Sequence, residues 1–215
     1  MSITIIIIII TVLVSISALS SDKIYNDLIF YPPAVTDQRQ WYRFFSSGFI
    51  HADWMHLIFN MYAFYMFGGA VETFFSNSLF QEKGKLFYML MYISALGFSL
   101  LPTYLKHKND SYYRSLGASG AVSAVIFAFI LLNPMANLGL IILPGIKIPG
   151  FIFGFIYLGI SSYLDRRGGG NINHSAHIWG ALYGMVFVVI LAAIFSDYPV
   201  VRMFIEQVKD YLHLG

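Results

Sequence analysis

Ser119 stands in the run Gly117-Ala118-Ser119-Gly120, and His177 in the run Ala176-His177-Ile178-Trp179-Gly180, each with small neighbours inside otherwise apolar sequence. A hydroxyl and an imidazole brought together form a nucleophile and its base: the ring takes the proton as Oγ bonds to a carbonyl carbon. Gly180 and Gly184 follow His177 by three and seven residues, so on a helix both share its face and admit a close neighbour. Gly120, Ser123 and Ala124 give the segment after Ser119 a similarly small face. The same small residues also fit plain helix packing in a membrane, and a histidine near a surface can simply bond to a loop carbonyl.

His56 and Asn60 are four apart, with His51 five residues before His56. On one helix His56 and Asn60 share a face, and both side chains donate hydrogen bonds. Donors aimed at the oxygen of a tetrahedral intermediate are what acyl transfer needs, and they are worth more where water is scarce. Gly117, beside the nucleophile, leaves room for a substrate backbone. Asn60 serves equally well as an interhelical hydrogen bond. The rival chemistry is a metal site on His51, His56, His174 and His177. Against it, no His-Glu-x-x-His motif occurs, and the one carboxylate near the cluster in sequence, Asp53, is placed as a helix cap. No Asp or Glu follows Ser119 or His177 within a helix length to orient the ring, so the pair is read as a dyad, with neither metal nor other cofactor.

The elements that hold these residues follow from composition. Of 215 residues 58% are hydrophobic and 11% charged, and the mean hydropathy is +0.68, which places the chain in a lipid bilayer. A net charge of +2 spread along the chain gives no footing for nucleic acid, and the lack of cysteine excludes disulfides and thiolate chemistry. Six helical spans are expected, at about 3–19, 54–74, 85–101, 117–132, 148–164 and 174–195. Asp53 and Asn173 act as N-caps, Pro102 and the Asn133-Pro134 pair as stops, and residues 165–170 as a charged glycine-rich turn. Residues 21–50 read as a long interfacial loop, and the tail as short and amphipathic. The first span is expected to be retained rather than cleaved as a signal peptide, since no Lys or Arg precedes it. Spans separated by one other run the same way, so the second, fourth and sixth begin at one membrane face. Their first turns carry His56, Ser119 and His177.

In this order and spacing the residues resemble the rhomboid intramembrane serine proteases. Trp41-Tyr42-Arg43 is similar to the Trp-Arg element of that family's first loop, His51, His56 and Asn60 to its His-x4-His-x3-Asn pattern, and Gly69-Ala70-Val71-Glu72 to the end of the same helix. The runs around Ser119 and His177 resemble its nucleophile and base motifs. The resemblance implies an all-α integral membrane protein, one six-transmembrane-helix bundle over residues 1–215. It implies a Ser119–His177 dyad, an oxyanion hole from His56, Asn60 and the Ser119 backbone, and structural support from Arg43, His51, Glu72, Gly180 and Gly184. The partners implied are transmembrane protein substrates in the bilayer, cut at small residues. The chain departs from the family at Ser123, where an aromatic ring often stacks on the histidine. The implied setting is the plasma membrane with the N-terminus cytoplasmic, although only five of the 13 Lys and Arg, Lys83, Lys85, Lys147, Arg202 and Lys209, then lie on the inner side. A catalytically silent binder of membrane helices, or a small transporter, would use the same spans. Substrate identity and oligomeric state stay open. Activity is expected to survive chelation in a hydrolysis assay; loss with a chelator and recovery with zinc would turn the histidines into ligands.

Overall fold

Residues 5–10 are all isoleucine, a type with modest helix propensity, yet they lie in a 17-residue helix, α1 (Ile3–Leu19). In an apolar medium the backbone has only itself to bond to. The buried stripe of α1 is Thr4, Ile7, Thr11, Ser15 and Ala18, while Ile9, Ile10 and Leu13 are exposed. Apart from Ile7, small and polar residues therefore face the bundle, while most of the exposed positions are large and apolar, the reverse of a water-soluble helix.

The computed structural model describes every residue except 141–142, 169–171 and 214–215. After α1 come α2 (Asp22–Leu28), α3 (Pro32–Gln38), α4 (Arg43–Ser46), α5 (Trp54–Phe74), α6 (Gly84–His107) and α7 (Ser119–Leu132). A two-stranded antiparallel hairpin follows, β1 (Asn137–Leu140) with β2 (Leu143–Pro149), pairing Leu138 with Ile148. The chain ends with α8 (Gly150–Arg167), α9 (His174–Phe195) and α10 (Val200–Tyr211). The fold is predominantly helical. By length and apolarity, two described segments, Gln81–His107 and His174–Phe195, are fit to cross a membrane, while α1 and α7 are apolar but shorter.

The two caps read from the sequence act as expected. Asp53 Oδ1 accepts from the His56 N–H at 2.8 Å, starting α5, and Asn173 Oδ1 accepts from the Ala176 N–H at 3.0 Å, starting α9. Other boundaries differ. Pro102 does not end its helix: α6 runs through it to His107, because the turn beyond is held from outside. Thr103 is buried and its Oγ1 donates to Asn173 Oδ1 at 3.1 Å, and Tyr104 packs edge-on against Phe44 and Trp41. These contacts offset the roughly 3 kcal/mol that an interior proline costs. The fourth helix begins at Ser119 rather than 117, because Gly117 has φ +109°, outside helical space. The fifth begins at Gly150, residues 148–149 belonging to the hairpin. Its C-terminal end runs to Arg167, so part of the expected turn at 165–170 is helical, and residues 169–170 of that turn lie outside the described residues. The loop at 21–50 contains three short helices, and the tail is the helix α10.

α7 is the central helix, with 11 of its 14 residues buried. α9 lies against it with almost no side-chain layer between. A Cβ on Gly180 would fall on the Gly120 carbonyl, and one on Gly184 on the Ala124 carbonyl. Phe64, Phe75, Tyr88, Met91 and Tyr92 form the core on the other side, where α5 and α6 meet. Gly180→Ala and Gly184→Ala are therefore each expected to cost at least about 1–3 kcal/mol through overpacking. Gly69→Ala, on α5 with open space around its Cβ position, is expected to be neutral or to stabilise by about 0.5–1 kcal/mol. Thermal unfolding in detergent checks the contrast; equal midpoints for all three variants would refute the close α7–α9 contact.

Candidate active site

Ser119 is the first residue of α7, which starts without a side-chain cap. The N–H groups of its first turn are thus those a helix N-terminus leaves unpaired. The turn into it is fixed from three directions. The Gly117 N–H donates to Ser47 O at 2.9 Å, a Cβ on Gly117 would lie 2.7 Å from His56 Cε1, and the Ala118 N–H donates to His51 Nε2 at 3.4 Å. With Nε2 accepting, the His51 proton sits on Nδ1 and donates to Ser15 Oγ at 2.9 Å, whose own hydrogen goes to Phe49 O at 2.9 Å. Burial pushes the His51 imidazole down to about 3, so the ring stays neutral and this chain of bonds keeps its direction. His51 thereby links α1, the 3₁₀ turn at Ser47–Phe49 and the start of α7.

His177, in the first turn of α9, places Nε2 2.7 Å from Ser119 Oγ. Asn173 sets the position of that turn: besides capping α9 it accepts from Thr103 and donates from Nδ2 to Ser115 Oγ at 3.2 Å. One amide therefore joins α9, α6 and the approach to α7. His56 Nδ1 accepts from the Ala52 N–H at 3.4 Å, which leaves the proton on Nε2, the atom beside Gly117. Asn60 donates from Nδ2 to His56 O at 2.9 Å within its own helix. Among the described residues it makes no interhelical bond, and its second amide hydrogen is uncommitted. The four histidines form two edge-to-face pairs, His51 with His56 at 4.9 Å and His174 with His177 at 5.9 Å. No group of three or more His, Asp or Glu poised for a metal occurs among the described residues. A cavity of about 10 Å³ lined by Ser47, Ser99, Ser115, Ser119 and Asn173 lies at the start of α7, at the lower bound for holding one water among several polar partners.

Residues 38–194 match the Rhomboid domain family. The chain belongs to the rhomboid family. It is therefore membrane-integral. Rhomboid-like protein 11, chloroplastic, from Arabidopsis thaliana is 31% identical over 160 residues, covering 71% of this chain and 53% of that protein. The human presenilin-associated rhomboid-like protein, mitochondrial, is 30% identical over 143 residues, 66% of this chain and 36% of that one. Rhomboid protease GlpG of Haemophilus influenzae is 25% identical over 163 residues, 74% of each. The chain thus spans about half the length, or less, of the plant and human relatives. Chloroplast and mitochondrial relatives give no support to the plasma membrane expected above.

Of the residues expected as rhomboid support, Arg43 and Glu72 lie at or near helix ends, whereas Gly180 and Gly184 lie inside α9. Buried Arg43 donates to Asn26 O at 2.9 Å and to Ile29 O at 2.6 Å, pinning the first loop. Buried Glu72, at the end of α5, accepts from Ser2 Oγ at 2.7 Å, from the Ile3 N–H at 2.8 Å and from the Thr4 N–H at 3.0 Å, so a carboxylate neutralises the positive end of α1. The sequence does not reveal the wider bonding of Asn173 or the approach of Tyr157, whose ring lies 6.3 Å from that of His177. Asn173 was visible only as a cap, and nothing local marks one tyrosine of α8 as a neighbour of α9. Gly117→Ala adds strain of about 1–3 kcal/mol at a positive φ and pushes on His56. It is expected to lower the thermal midpoint and slow Ser119 labelling by a fluorophosphonate; wild-type values for both would show that the turn relaxes freely.

Proposed function

We propose that this rhomboid is an intramembrane serine endopeptidase that cuts membrane proteins in or near their transmembrane segments. The observation that carries the reading is the 2.7 Å approach of His177 Nε2 to Ser119 Oγ at the start of two adjacent helices. With Oγ–H donating to Nε2, His177 accepts the proton as Oγ attacks the scissile carbonyl. The oxyanion is held by the free N–H groups at the start of α7 and by His56 Nε2–H, with the second Asn60 amide hydrogen in reserve. Collapse returns the proton from His177 to the leaving amine. Water, activated by the same ring, then hydrolyses the acyl-enzyme and restores Ser119.

Six of the helices, α1 and α5 to α9, are read as the spans. The bonds between α1 and α5 fix their antiparallel order: Glu72, at the end of α5, meets residues 2–4, and His51, just before α5, meets Ser15 near the end of α1. The site therefore lies on the face opposite the N-terminus. The partners proposed are transmembrane substrates whose helix is weak near the cut, because a peptide carbonyl already bonded within a helix must be freed before attack.

Ser119→Ala and His177→Ala are each expected to abolish cleavage of a model transmembrane substrate in proteoliposomes. Asn60→Ala should leave a detectable rate, lower by no more than about 10²–10³, with its folding confirmed by thermal unfolding. Undiminished cleavage by folded Ser119→Ala would sink the protease reading, and a wild-type chain that neither cleaves nor labels would be the silent binder.

A further inference from the structure

His177 has neither a carboxylate nor any hydrogen bond at Nδ1 among the described residues, so something else must hold its ring. The terminal torsion of a histidine is broad and roughly two-fold, and a ring free to turn about it would carry Nε2 away from Ser119. His174 stands edge-on to the ring at 5.9 Å, and the roughly parallel neighbour is Tyr157, in the middle of α8, with ring centres 6.3 Å apart and planes 25° from parallel. The Tyr157 ring is itself confined, by Phe127 of α7 at 5.6 Å and by Phe153 one turn earlier on α8 at 6.0 Å. Its hydroxyl lies 2.8 Å from Ser123 Oγ. Ser123 follows Ser119 by one helical turn and is buried. The helix that carries the nucleophile therefore also fixes the phenol that backs the base.

Resting on the dyad reading above, we infer that Ser123 and Tyr157 together are the positioning device for His177. The hydrogen bond fixes the phenol ring, and the ring limits the rotation of the imidazole so that Nε2 stays on Ser119 Oγ. Three helices share the arrangement: α7 supplies the anchor, α8 the plate and α9 the base. The orientation of the base consequently depends on α8 being seated on α7, where Gly154 leaves room for Phe127. A serine four residues after the nucleophile is then no gap in the site, because the aromatic surface arrives from another helix and the serine holds it.

The test is the rate of fluorophosphonate labelling at Ser119, with kcat and KM on a transmembrane substrate, for wild type, Tyr157→Phe, Ser123→Ala, the double variant and Ser123→Thr. Each single change removes one oxygen and keeps the packed volume. Losing one buried hydrogen bond is expected to slow labelling about tenfold in each single variant. The double variant should be no slower than the slower single, kcat should fall with KM unchanged, and Ser123→Thr, which keeps a hydroxyl, should recover most of the rate. Unchanged rates, losses that multiply in the double variant, or a rise in KM at constant kcat would overturn the positioning role while labelled wild type leaves the dyad standing. A wild-type chain whose Ser119 does not label overturns the dyad and this inference together.

Discussion

The carbonyls of Gly120 and Ala124 lie where side chains on Gly180 and Gly184 would have to be, and that approach of α9 to α7 is the constraint on which the site depends. Lipid gives two apolar helices no hydrophobic reason to associate, so small residues that let backbones meet supply the attraction through packing. Ser119 is the residue before Gly120, and His177 lies one turn before Gly180. Hydroxyl and imidazole are thus carried to bonding distance by the same contact that holds the helices together. Any larger residue at Gly180 would part the two helices, and a hydrogen bond does not tolerate even one ångström of added separation.

Around that contact the helix ends are tied by buried polar groups and hardly at all by ion pairs. The described ion pairs Lys23–Asp27 and Arg202–Glu206 are exposed and contribute little. Glu72 satisfies the start of α1 and Arg43 the end of α2, while His51 and Asn173 each bond to two other parts of the fold. Such groups are costly to bury alone and inexpensive once paired. They therefore fix where each helix starts relative to the others, which the sliding apolar faces would leave loose.

Much of this was legible in the sequence, for local reasons. Asp53 and Asn173 announce the starts of α5 and α9 because capping involves residues two or three apart. The glycines of α9 announce close packing because helical spacing puts them on one face. Signals that depend on distant partners were not legible. Pro102 reads as a stop until Thr103 and Tyr104 are seen to be held by Asn173 and the first loop. The short helices α2 to α4 are stabilised by docking, including the bonds from Arg43, rather than by any amphipathic period. Gly117 looked helical because its positive φ is imposed by Ser47, His51 and His56 from elsewhere in the chain. Tyr157 carried no signal, since its meaning lies in a ring on one helix and a hydroxyl on another.

The direction of the helices also explains how such a site does without a carboxylate. α5, α7 and α9 alternate in the bundle with α6 and α8, so all three begin at one face, and His56, Ser119 and His177 lie in their first turns. Helix N-termini carry a partial positive charge and unpaired N–H groups. On the proposed mechanism the uncapped start of α7 raises the potential where an acyl intermediate would develop its negative oxygen, and in a medium poor in water that field is weakly screened. A buried Asp or Glu beside the imidazole would support an imidazolium but oppose the oxyanion and itself need partners against desolvation. Neutral support of the ring by Tyr157 and Ser123 avoids both penalties, and leaves the backbone of the fold to supply the charge stabilisation.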